Sequence, residues 1–177
     1  MDRQTARSRI VEIADYPKPG VLFKDVIPVS ADVDALRWCL DEISAHYKEA
    51  QIDLVVGIEA RGFILGAALA LHMNIGFVPI RKVGKLPRET YSAEYTLEYG
   101  TDTIEIHRDA LHPGQRVLLV DDVLATGGTA NAAISLLEQC GAVGAGLAVL
   151  LNLDFLGGDG VIRSHHPDCD IFTLFQD

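Results

Sequence analysis

Val117-Leu118-Leu119-Val120-Asp121-Asp122-Val123-Leu124-Ala125-Thr126-Gly127-Gly128-Thr129 joins an apolar run, two adjacent acids and a turn of small residues. The apolar run, Arg116 to Val120, reads as a buried strand. A helix follows from about Gly128 to Cys140, with Gly141 as its stop. In open α/β sheets, ligands sit where such a strand ends and its helix begins. Glycines at this point let backbone N–H groups close around an anion, and the helix N-terminus adds partial positive charge. With the hydroxyls of Thr126 and Thr129, the turn Ala125-Thr126-Gly127-Gly128-Thr129 forms a cradle for one phosphate. Asp121 and Asp122 would repel a phosphate but suit a ribose, because a carboxylate accepts from two neighbouring hydroxyls at once. Together the two halves fit a ribose 5-phosphate. The plainer alternative, acids that cap a helix and glycines that turn the chain, gives no reason for so many ligand-type groups to converge at one strand mouth.

Working outward, the same strand opens a βαβ unit that ends in a strand from Gly144 to Leu151. An earlier unit runs from the strand Asp53 to Ile58, through Gly62 and a helix to about His72, to a strand Gly76 to Ile80. The fold class is therefore α/β, a central and mostly parallel sheet flanked by helices. Val33, Leu36, Leu40, Ile43 and Tyr47 mark one face of a preceding helix, which Ser30 or Asp32 can cap. Tyr16-Pro17-Lys18-Pro19-Gly20-Val21-Leu22-Phe23 is too proline-rich for a helix, and its apolar side chains need a surface to cover. Residues 82–112 are polar and charged, yet alternate at Tyr91, Tyr95, Leu97 and Tyr99 and at Ile104 and Ile106. They read as a flexible β-ribbon inserted between the two units, with basic residues and no hydrophobic core of its own.

The 177 residues, 49% of them hydrophobic, supply one core, so one domain over 1–177 is expected. The longest apolar stretches, Phe63 to Met73 and Gly144 to Leu151, fall short of the roughly 20 residues that span a bilayer. The N-terminus has no apolar signal region, and Cys39, Cys140 and Cys169 form no C-x-x-C pair, so a soluble chain in a reducing cytoplasm is expected. A net charge of −10 argues against nucleic-acid or membrane partners. An anion must be met locally, and Arg81, Lys82, Lys85 and Arg88 offer a cluster for it; a solvated loop is the alternative. Gly57-Ile58-Glu59-Ala60-Arg61-Gly62 has Walker A glycine spacing, but Phe63 and Ile64 stand where Lys and Ser or Thr are required.

The stretch Leu119 to Thr129 resembles the phosphoribosyl pyrophosphate signature of type I phosphoribosyltransferases. Pro19-Gly20-Val21-Leu22-Phe23-Lys24-Asp25, Gly57 to Phe63, Ile80 to Pro87 and Leu97-Glu98-Tyr99-Gly100 resemble the adenine-specific branch in particular. The match covers about residues 8 to 158. Val161 to Asp177 departs from it and holds His165-His166-Pro167-Asp168-Cys169, read as a surface turn rather than a metal site, because no fourth ligand stands at metal-site spacing.

The resemblance implies transfer of the 5-phosphoribosyl group of phosphoribosyl pyrophosphate to adenine, giving AMP and pyrophosphate. Residues 1–32 would be an N-terminal helix and a hood, with Val21, Phe23 and Lys24 around the base. Arg61 would hold a pyrophosphate oxygen; otherwise it is a helix-start arginine. Arg81, Lys82 and Lys85 would meet the pyrophosphate, and Asp121 and Asp122 would serve the ribose. Glu98 would handle the proton near N7, with Tyr99 closing the site. Mg would arrive on phosphoribosyl pyrophosphate, with no direct protein ligation and contact through water to Asp121 or Asp122. The family likeness also implies a homodimer. Two other readings stay open: transfer to a different base, and a non-catalytic regulator that senses phosphoribosyl pyrophosphate.

Overall fold

Three apolar runs, Leu54–Ile58, Arg116–Leu124 and Val143–Asn152, lie side by side as parallel strands, and burial on both faces explains their near-continuous hydrophobicity. The structure, a computed structural model, describes residues 1–96 and 100–177. In chain order its elements begin with α1 (Arg3–Arg7), β1 (Val11–Ala14), β2 (Leu22–Asp25), α2 (Ile27–Ala31) and α3 (Val33–His46). Next come β3 (Leu54–Ile58), α4 (Gly62–His72), β4 (Gly76–Lys82), β5 (Thr90–Thr96) and β6 (Thr101–His107). The remainder is β7 (Arg116–Leu124), α5 (Gly128–Gln139), β8 (Val143–Asn152), a 3-10 turn Asp154–Leu156, α6 (Gly158–His165) and β9 (Ile171–Gln176).

Among the described residues, seven strands form one sheet in the order β5-β6-β4-β3-β7-β8-β9, and β1 pairs with β2 as a separate antiparallel hairpin. The strands from β4 to β9 across that order are parallel, while β6 and β5 continue the sheet antiparallel. Alternate side chains of β3, β7 and β8 feed two cores. Val56, Leu119 and Leu147 face α5, whereas Val55, Leu118 and Val120 face α3 and α4. Asp32 caps α3 as expected, its Oδ1 accepting from the amides of Asp34 and Ala35 at 3.0 and 3.2 Å. Val33, expected on the buried face of that helix, is instead exposed, and Ala35 and Cys39 take buried places. No helix among the described residues is long and apolar enough to cross a membrane.

Three expectations change. The strand expected to stop at Val120 runs on to Leu124, so Asp121 and Asp122 belong to β7; they pair toward β8 alone, because the pairing with β3 ends at Val120. Residues 90–96 and 101–107 are not a coreless ribbon: Tyr95, Ile104 and Ile106 are buried in the cluster that includes α5, and Arg81 and Lys82 pair with Glu105 and Ile104. The divergent tail turns at Pro167 and Asp168 as expected, but this turn joins a helix to a strand that the sequence reading did not anticipate. Helix α6 sets Ile162 into the core, and β9 adds an outer parallel strand whose Leu174 and Phe175 are buried, with Trp38 stacked on Phe175 at 5.8 Å.

The chain leaves β3 toward β4 and leaves β7 toward β8, in opposite directions along the sheet. That reversal, between two neighbouring strands, opens a crevice at their carboxyl ends.

Candidate active site

The turn between β7 and α5 lies at the carboxyl end of β7, beside this crevice. Gly127 takes φ +82, which a residue with Cβ adopts only under strain, and so turns the chain from β7 into α5. The first helix amide bonded to a carbonyl is that of Asn131, which donates to Gly127 O at 2.9 Å. Among the described residues, the amides ahead of it have no backbone acceptor, so they and the helix dipole are directed at whatever occupies the turn. Asp121, Leu124, Thr126, Gly128 and Thr129 line a cavity of about 80 Å³ there. Residues Ala125 to Thr129, expected as a phosphate cradle, all line this one cavity.

Beside the cradle, Asp122 is only 5% exposed, and its Oδ2 lies 2.7 Å from Arg61 Nε without the directionality of a hydrogen bond. Asp121 opens on one side to the cavity and is otherwise surrounded by protein; its Oδ1 accepts from the Asp122 amide at 2.9 Å. Burial pushes the Asp121 carboxyl well above the ordinary carboxylate range, and the charge of Asp122 adds to the effect. Burial raises Asp122 as well, against the opposing pull of the Arg61 guanidinium. The close approach of α4 depends on Gly62, where a Cβ would meet Asp121 Oδ1 and Val120 O, each at 2.9 Å. The two acids and Arg61 therefore meet where the sheet changes direction.

Two of the basic residues, Arg81 and Lys82, are engaged by carboxylates. Arg81 reaches Glu59 through Nε and Nη2, each at 3.2 Å, and Glu59 also accepts from the Lys82 amide at 2.8 Å. Burial works against the Glu59 charge, but these donors outweigh it and hold its carboxyl below the usual range. Lys82 Nζ donates to Tyr95 Oη at 2.5 Å and pairs with Asp102. Lys85 is exposed, without an ion pair among the described residues. Arg81, Lys82 and Lys85 lie at the end of β4, next in the sheet to β3 and Arg61.

A second cavity, of about 480 Å³, opens on the other side of Arg61. Val21, Leu22 and Phe23 of the hairpin form one wall; Val123, Phe155 and Leu156 form the other. The Arg61 guanidinium carbon sits 5.8 Å from the Phe23 ring centroid, and Tyr16 holds that ring edge-on at 5.1 Å. Lys24 lines the cavity, but its Nζ is committed to Glu12 and Asp177, each at 2.6 Å. Burial alone would lower the Lys24 pKa, yet these two carboxylates raise it. Sequence reasoning missed Val123, Leu153, Phe155 and Leu156. The available signal was an aromatic at Phe155, 73% exposed, directly after a core strand. The expected roles of Leu97, Glu98 and Tyr99 fall outside the described residues.

The arrangement is a small-residue turn at a helix N-terminus, a pair of buried acids and a largely apolar cavity, with Arg61 between Asp122 and Phe23. Residues 32–174 match the phosphoribosyl transferase domain family. The chain is 56% identical to the adenine phosphoribosyltransferase of Salinispora arenicola over 151 residues, 85% of this chain and 80% of that protein. The crystal structure of adenine phosphoribosyltransferase from Rhodothermus marinus superposes with a TM-score of 0.91 at 46% identity, covering 99% of this chain and 98% of that one. The Saccharomyces cerevisiae enzyme, complexed with an imino-altritol bisphosphate and adenine, gives 0.90 at 39% identity over 97% of each chain. By pattern, sequence and fold alike, the chain belongs to the adenine phosphoribosyltransferase family, within the phosphoribosyl transferase domain family.

Proposed function

We propose that the chain joins adenine to the 5-phosphoribosyl group of phosphoribosyl pyrophosphate, releasing pyrophosphate and giving AMP. The observation that carries this reading is the position of Arg61, 2.7 Å from a carboxylate beside the phosphate cradle and 5.8 Å from the Phe23 ring of the apolar slot. A ligand reaching from cradle to slot has a phosphate at one end and a flat base at the other.

The cradle Ala125 to Thr129 holds the 5-phosphate, and Asp121 and Asp122 accept from the ribose hydroxyls. Adenine lies against Phe23, where its N9 faces C1′; as the N9–C1′ bond forms, the bond from C1′ to the pyrophosphate oxygen breaks. Negative charge on the acid pair favours the positive charge that develops on the ribose, and Arg61, Arg81, Lys82 and Lys85 receive the departing pyrophosphate. Glu98 takes the imidazole proton of adenine, and Tyr99 closes the site. Thr96, at the end of β5, has its carbonyl against Gly128. Apolar walls keep water from the ribosyl cation.

The donor set fits a magnesium ion delivered on the substrate. Among the described residues no group of three or more acids, histidines or cysteines could cage a metal, and the proposed ribose acids Asp121 and Asp122 are left to contact it through water. When bound, the ion would neutralise charge on the departing oxygens. The exposed face of α4, with Ile64, Ala67 and Leu71, supports a homodimer, and three free cysteines support a cytoplasmic setting.

A panel of adenine, hypoxanthine, guanine, xanthine and orotate, each with phosphoribosyl pyrophosphate and Mg²⁺, tests the reading. Adenine should lead hypoxanthine in kcat/KM by about 10⁴, because a site built for one hydrogen-bonding group rejects its absence by that order. Hypoxanthine matching adenine would overturn the base assignment.

A further inference from the structure

The head of α6 presses on the phosphate turn from behind. A Cβ built at Gly158 would lie 2.2 Å from Ala125 O and 2.9 Å from Gly127 N; one at Gly127 would lie 2.5 Å from Gly158 O. Backbone therefore meets backbone with no room for a side chain on either partner. The far end of α6 is tied down too: Ile162 is fully buried, and His166, which follows the helix, places its Nε2 3.0 Å from Asn131 Oδ1 and its Nδ1 3.2 Å from Glu138. Asn131 is the residue whose amide closes the first turn of α5 on Gly127. One short helix thus contacts both sides of the cradle: its head bears on the turn, and its end is bonded to the first turn of α5.

From this packing we infer that Gly158 is a positioning residue for the 5-phosphate, and that α6 buttresses the cradle so that its amides keep their aim without a ligand. The inference rests on the reading of Ala125 to Thr129 as the phosphate site. A methyl group at Gly158 would force the turn back by roughly 1 Å, since ordinary contact begins near 3.4 Å.

Three alanine variants separate contact from other effects. Gly158→Ala adds the clash. Gly157→Ala sits at φ +67 with open space around its Cβ, so it adds backbone strain alone. Gly160→Ala, also with open space, adds neither. The readouts are KM for phosphoribosyl pyrophosphate, KM for adenine, kcat, and calorimetric binding of ribose 5-phosphate to the ligand-free enzyme. Gly158→Ala should raise KM for phosphoribosyl pyrophosphate and Kd for ribose 5-phosphate at least about tenfold, because misplacing a positioned group by 1 Å costs up to about 10²-fold. KM for adenine should stay within a few-fold, and Gly160→Ala should match the parent.

If the parent enzyme binds no ribose 5-phosphate, the reading of the turn falls. If the parent binds it and Gly158→Ala binds it equally well, or loses adenine and phosphoribosyl pyrophosphate in equal measure, the positioning role falls. Should Gly158→Ala not fold, His166→Ala carries the test by cutting the tie to Asn131. A few-fold rise in KM for phosphoribosyl pyrophosphate alone supports the buttress, and unchanged constants overturn it.

Discussion

Replacing Asp121 with Asn should make the ligand-free fold more stable while making the enzyme worse. Burial and the neighbouring Asp122 charge hold the Asp121 carboxyl well above its ordinary value of about 3.9. A carboxyl raised on folding stabilises the native state only while protonated; that contribution is complete below the unfolded pKa and is lost as pH rises through the folded one. At neutral pH the group therefore works against folding. Each pH unit of upward displacement costs the native state about 1.4 kcal/mol there. Asn keeps the shape and the acceptor oxygen that takes the Asp122 amide at 2.9 Å, so the substitution removes the charge and little else. A gain of only 1 kcal/mol raises the unfolding midpoint of a chain this size by about 2–4 °C. Thermal unfolding of both proteins without ligand, between about pH 4 and 8, should show the variant more stable near neutrality and the difference shrinking toward acid pH. Carboxyls held low in the fold, such as Glu59, Asp32 and Asp102, push stability the other way as pH falls, but they are present in both proteins and cancel in the difference. Phosphoribosyl pyrophosphate binding should weaken at the same time, by the about 1.5–3 kcal/mol of a charged hydrogen bond. A variant that melts lower than its parent at neutral pH, or a difference that does not change with pH, would refute the reasoning.

Other outcomes follow from the same geometry. Phe23→Ala should raise KM for adenine by about 5- to 150-fold, the equivalent of about 1–3 kcal/mol of base stacking, with KM for phosphoribosyl pyrophosphate little changed; steady-state kinetics in each substrate decides it. Glu98→Leu should lower kcat by about 10²–10⁴ with both KM values nearly constant, and a normal kcat removes Glu98 from proton handling. Trypsin should cut the ligand-free protein near the exposed Lys85 or Arg88, and phosphoribosyl pyrophosphate should slow the cut; equal rates with and without it would count against closure of this segment.

The parts of the site readable in the sequence are those whose groups are contiguous. Asp121 to Thr129 lie within one strand, turn and helix start, so local chemistry alone marks them as a candidate phosphate and ribose site. The slot for the base is different. Phe23 and Phe155 are far apart in the chain and line one cavity only in the folded protein, and Val123, Leu153 and Leu156 carry no polar group that would single them out. Placing Asp121 and Asp122 inside β7 was equally hidden, since acids are depleted in strands and these two are tolerated where pairing survives on one side only. The tail misled for a related reason: His165-His166-Pro167-Asp168 reads as a break, and the alternation of Ile171 to Phe175 is too short to announce a strand without the exposed edge of β8 that it covers.

The ion pairs of Arg81 with Glu59 and of Lys82 with Asp102 bear on which anions the crevice admits. Neither cation waits in water for a ligand; each is already neutralised by a tethered competitor at very high local concentration. An incoming anion must exchange partners with those carboxylates, and a singly charged ion such as chloride gains too little to do so. Pyrophosphate, with several charges and many acceptor oxygens, can engage both cations in one event. If these two cations receive pyrophosphate as proposed, pre-pairing would act as a valency filter, trading raw affinity for indifference to the ordinary salts around the enzyme.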